Sequence, residues 1–126
     1  MYHYVRQDSE DFPFSAHKTI DDFISEIKSL QSLGFVFENP SGCIQRCKSD
    51  GINPQLIILT FDDGLKDHLN AAKILQQLGV EGAAFYIPVE PYLTGKVLAV
   101  HKAQFIRSKY GGESLSLLEE AAKSLD

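Results

Sequence analysis

The sequence predicts an α/β domain of parallel strands with flanking helices, and two runs predict it. Leu56-Ile57-Ile58-Leu59-Thr60-Phe61 is continuous, apolar and β-branched, as in a parallel strand covered on both faces. It ends in Asp62-Asp63-Gly64, after which Leu65, Leu69, Ala72, Leu75 and Leu78 keep helical spacing up to Gly79. Gly82 to Ile87 is a second buried-looking strand, closed by Pro88. Strand, helix and strand make a βαβ unit, for which a right-handed crossover is expected.

The other elements follow in order. Met1 to Val5 is a short aromatic stretch that reads as a first strand, with His3 between Tyr2 and Tyr4, and the polar, proline-containing Arg6 to Lys18 reads as loop. Thr19 is placed to cap a helix, with Asp22 three residues on. Ile20, Phe23, Ile24, Ile27 and Leu30 form its apolar face, and Gly34 stops it. Phe35-Val36-Phe37 suits a short strand, while Glu38 to Pro54, rich in Asn, Pro, Ser and Gly, reads as a long connection. Pro91 to Gly95 is turn-rich, and the spacing predicts a helix from Val97 to Lys109, ended by Gly111-Gly112. A last amphipathic helix, capped by Ser114 or Ser116, carries Leu115, Leu118, Ala122 and Leu125. At 126 residues the whole reads as a single domain, 1–126, with no internal repeat.

Composition narrows the function. A formal charge of −5 with scattered Lys and Arg gives no basic stripe, so no nucleic-acid partner is expected. No apolar run reaches the length of a membrane span, and the N-terminus lacks the pattern of a signal peptide. The chain therefore reads as cytoplasmic, or as envelope-associated if trimmed from a longer protein. Cys43 and Cys47, spaced C-x3-C, have no third and fourth ligand nearby and read as ordinary thiols.

The strand end is where chemistry is expected, because ligands and catalysis collect beyond the carboxyl ends of parallel strands. Adjacent carboxylates repel, so Asp62 and Asp63 must be hydrated, paired with cations or bound to metal. The plain alternative is a turn and helix N-cap, both of which suit aspartate. His68, one turn into the following helix beside Asp67, reads as a solvated face. His3 lies near the same rim, where a supporting or packing role outweighs ligation, and His17 reads as surface.

Thr60-Phe61-Asp62-Asp63-Gly64 resembles the first motif of the polysaccharide deacetylase family (NodB homology, carbohydrate esterase family four). The Tyr2-His3 opening and Ala83-Ala84-Phe85-Tyr86-Ile87-Pro88 are similar to the start and the following strand of that fold. The resemblance implies a partial (β/α) barrel. It also implies a hydrolase that removes acetyl groups from the amide nitrogen of sugars in an oligo- or polysaccharide. It makes Asp62 the general base and Asp63 a ligand of a divalent metal, zinc by preference and cobalt or nickel as alternatives. Such an ion lowers the pKa of bound water and polarises the acetamide carbonyl, and with a backbone N–H it holds the oxyanion. The family's second motif has two histidines four apart. Here Val100-His101-Lys102-Ala103-Gln104-Phe105 offers His101 as metal ligand and no histidine at 105. Later motifs have no counterpart after Tyr110, and a complete barrel takes about 250 residues. The chain is therefore expected to be truncated on its C-terminal side, with exposed strand edges that permit a homodimer. The alternative function is a non-catalytic relative that binds carbohydrate or protein. Asp-x-Asp phosphotransferases and receiver domains fit worse, because the carboxylates are adjacent and the strand ending at Pro88 brings no further aspartate.

Overall fold

The computed structural model describes residues 1–113, 116 and 120, so Ser114, Leu115, Leu118, Ala122 and Leu125 of the final expected helix lie outside the described residues. The chain forms two compact units, one of Met1–Arg6 and His17–Pro88, the other of Gln7–Ala16 and the chain from Val89 onward.

In the first unit, α1 spans Ile20–Ser32. Its N-cap is Thr19, whose hydroxyl accepts from the Asp22 N–H at 3.1 Å. Gly34 ends it at φ 81°, where its N–H reaches the Gln31 carbonyl and that of Phe35 reaches Leu30. These two bonds form a Schellman closure, which favours glycine at the left-handed position. β1 (Val36–Phe37) pairs in parallel with β2 (Leu56–Ile57), and β3 (Leu59–Phe61) pairs in parallel with β4 (Ala83–Phe85), Phe61 opposite Phe85. The run read as one strand is thus two short strands divided at Ile58, each with its own partner. Tyr2 adds a parallel bridge to Phe61, and Val5 one to Lys18.

Two sequence readings are corrected here. The connection after Glu38 contains α2, Pro40–Asp50. Asn39 caps it by accepting from the Gly42 N–H at 2.8 Å, and Pro40 fills the first turn, where its missing donor costs nothing. α2 buries none of its residues, so no apolar period announced it. The helix after the aspartates, α3 (Asp67–Gln77), buries His68, Ala71 and Leu75, while Leu69 is 61 % exposed. His68 is only 5 % exposed, not solvated, because its Nε2 bonds the His3 carbonyl at 2.8 Å.

The core of this unit is Val5, Phe23, Ile27, Leu59, Phe61, Ala71, Leu75 and Val80. Phe61 is its hub, stacking on Tyr2 (5.3 Å) and Phe85 (4.8 Å) and meeting Phe23 and His68 edge-on. Gly82, just before β4, lies against the main chain of Glu38 and Asn39, well inside the distance any Cβ would need. That approach holds the entry to β4 against the chain that leaves β1 for α2.

The second unit contains α4 (Glu90–Thr94), where a turn-rich loop was expected, α5 (Ala99–Tyr110) and a 3-10 turn at Gly111–Glu113. The 7–16 segment packs on α5 through Phe12 against Phe105 and the Phe14 N–H to the Ser108 carbonyl at 3.0 Å. Among the described residues no helix is long and apolar enough to cross a membrane.

Phe61 is fully buried, so Phe61→Ala is expected to cost about 3–5 kcal/mol in urea unfolding. Burial pushes the Tyr2 hydroxyl well above its ordinary range, reinforced by the Glu26 carboxylate to which it donates. A pKa raised on folding stabilises fully below the unfolded value of about 10, and the contribution is lost as pH rises toward the folded one. Stability measured against pH should therefore fall more steeply above about 10 in the wild type than in Tyr2→Phe.

Candidate active site

The carboxyl ends of β3 and β4 open on a shallow cleft of about 540 Å³ lined by Met1, Thr60, Asp62, Asp63, Tyr86, Ile87 and Pro88. Main-chain bonds set its walls. The Tyr2 N–H donates to the Thr60 carbonyl at 2.8 Å, and the Asp62 N–H donates to the Tyr2 carbonyl at 3.0 Å. On the other side, the Tyr86 N–H donates to the Phe61 carbonyl at 2.7 Å.

Asp63 has φ 78°, and among the described residues it is the only non-glycine at positive φ. Gly64 follows at φ 60°, where a Cβ would press on Ile87. The left-handed conformation costs an L-residue roughly 1–2 kcal/mol, less for Asp and Asn, whose short polar side chains bond locally. Such strain concentrates at functional sites. Of the plain alternative the turn holds, since Asp63 and Gly64 form one, but the cap does not: α3 begins at Asp67 with Lys66 at the N-cap and no side-chain cap bond.

His3 faces this turn, its Nε2 3.7 Å from Asp63 Oδ2. Behind them Arg6 places Nε and a terminal nitrogen on Asp67 Oδ2 at 2.6 and 2.5 Å and lies over the Tyr4 ring at 4.4 Å. Asp67 stands in the first turn of α3, where the helix dipole favours a carboxylate. Burial raises the Tyr4 hydroxyl above its ordinary value; Arg6 opposes this, and Asp63 and Asp67 reinforce it.

Asp62, Asp63 and His3 therefore share one strand end. His101 is on α5 in the second unit. Its expected role as ligand rests on the resemblance. Asp63 and His3 are groups of the kind that could hold a divalent ion, and here they pair with each other. Among the described residues no group of three or more His, Cys, Asp or Glu converges in a metal-binding arrangement. A catalytic zinc takes three protein ligands, so the pair fits part of such a centre. Sequence reasoning left His3 in a supporting role and gave no role to Tyr4, Arg6 or the buried His68. The Tyr-His-Tyr alternation was the one signal available.

No family model and no curated protein matches the chain. Among solved structures, a protein assigned as a polysaccharide deacetylase of Bacillus anthracis superposes with a TM-score of 0.57 at 22 % identity, over 81 % of this chain and 32 % of that one. A polysaccharide deacetylase of Bacillus cereus gives 0.57 at 21 % identity, over 85 % and 34 %. The chain thus has the fold of these proteins over about a third of their length.

The strain at position 63 is testable apart from any activity. Asp63→Gly is expected to leave unfolding free energy unchanged or raised, whereas Asp63→Val should lower it by about 1–2 kcal/mol.

Proposed function

We propose that this chain carries the catalytic strand end of a metal-dependent polysaccharide deacetylase, acting on the N-acetyl group of a sugar in an oligo- or polysaccharide. What supports this most directly is the pair Asp62-Asp63, set at the carboxyl end of β3 on an open cleft, in a fold shared with two polysaccharide deacetylases. In this reading Asp62 is the general base. It takes a proton from the water that attacks the acetamide carbonyl carbon. The C–N bond then breaks, the amine leaves with a proton, and acetate is released. Asp63, whose backbone stands at φ 78°, would hold a divalent cation, zinc, cobalt or nickel, which would supply Lewis acidity to the carbonyl and the water. His101 stays the proposed further ligand from α5. The open floor between Met1 and Pro88 suits a chain-like substrate better than an enclosed small molecule.

A second reading is a non-catalytic relative that binds carbohydrate or protein. The observation in its favour is the donor set of the described residues, which stops short of three.

Acetate release from acetylated sugar oligomers by the full-length protein separates the two. Asp62→Asn is expected to lower the rate by about 10²–10⁴, the usual worth of a positioned general base. Equal rates in wild type and Asp62→Asn would remove the catalytic assignment.

A further inference from the structure

We infer that Tyr86 is the surface on which a sugar ring of the substrate stacks, so that the acetamide of that sugar is presented to Asp62. The inference rests on the reading of the cleft as a polysaccharide site and asks nothing of a metal ion.

The register of the sheet is the first argument. β3 and β4 set Thr60 opposite Ala84 and Phe61 opposite Phe85. The Tyr86 N–H carries the ladder one step further, to the Phe61 carbonyl at 2.7 Å. The next pair along the two strands is therefore Asp62 and Tyr86. Side chains alternate between the faces of a strand. Phe61 and Phe85 stack on one face at 4.8 Å, so Thr60, Asp62 and Tyr86 fall on the other. All three line the cleft. Neighbouring strands lie about 4.7–4.9 Å apart, a separation that one pyranose ring and its substituent can bridge.

The second argument is that this ring does no work in the core. Tyr86 is 56 % exposed, whereas Phe23 and Phe61 are fully buried. It takes no part in the aromatic cluster around Phe61, whose place on β4 belongs to Phe85. An open aromatic face beside a carboxylate and a hydroxyl is the chemistry that a sugar needs. The C–H face of a pyranose lies against the electron-rich face of a phenol ring, while its hydroxyls bond the polar groups at the edge. Tyrosine offers that area at little entropic cost, because only two side-chain torsions need be fixed. Its main chain is already held by the bond to Phe61.

The test is binding of an N-acetylglucosamine oligomer, measured by calorimetry and fluorescence. Tyr86→Ala should weaken binding by about tenfold, in line with the worth of one aromatic contact and the area it buries. Tyr86→Phe keeps the ring face and should bind like the wild type. The chain contains no tryptophan, so Tyr86→Trp installs a single reporter. Its emission should shift to the blue, and its quenching by iodide should fall, as the oligomer is added. Thermal unfolding of the three variants should match the wild type, because the ring lies outside the core. If Tyr86→Ala binds the oligomer as tightly as the wild type, Tyr86 is not the stacking surface and the polysaccharide reading of the cleft survives. If the wild type itself does not bind the oligomer, the stacking surface and the sugar substrate of the proposed function fall together.

Discussion

Tyr2 spends both of its main-chain groups on β3, its N–H on Thr60 and its carbonyl on the Asp62 N–H. The bonding threads the start of the chain alongside the strand that carries the carboxylates, and much of the first unit depends on it. It sets the Tyr2 ring on Phe61 and against Phe23 of α1. It leaves the next carbonyl, that of His3, to the only buried histidine among the described residues. Two residues further on, Val5 enters the core. Met1 and the bonds of Tyr2 are thereby part of the wall of the cleft.

The strand end combines a rigid base with a strained tip. Phe61 is held by four aromatic neighbours, so the main chain that leaves it has little freedom before Asp62. The chain then turns through two successive residues at positive φ before α3 begins. Without the packing beneath, Asp63 would relax toward ordinary backbone and its carboxylate would swing with it. Local strain is kept because aromatic burial elsewhere exceeds it by several kcal/mol.

The legible parts of the molecule were those where burial leaves a local period. α1 and its cap at Thr19 could be read because Phe23 and Ile27 face inward and Gly34 ends the helix. The motif strand could be read from its unbroken apolar run, although its division at Ile58 could not, because the change of partner is a property of β1 and β4. α2 escaped because it buries nothing. His68 escaped because its burial depends on a carbonyl 65 residues away in sequence, which no helical pattern encodes. At the site, Asp62 and Asp63 stood out by their position after a strand. His3 becomes informative only once Tyr2 is known to pair with Phe61.

The polar character of α2 has a use of its own. Cys43 and Cys47 lie one turn apart on it, one half-buried and the other exposed. Both are free thiols on a helix that contributes no side chain to the core. A fluorophore or spin label attached at Cys47 would therefore ride on the first unit without entering its interior. Through Gly82, packed on the main chain of Glu38 and Asn39 just ahead of α2, such a label would be mechanically close to the entry of β4. Two native thiols thus give this protein a built-in attachment point for spectroscopy, with the carboxylates left untouched.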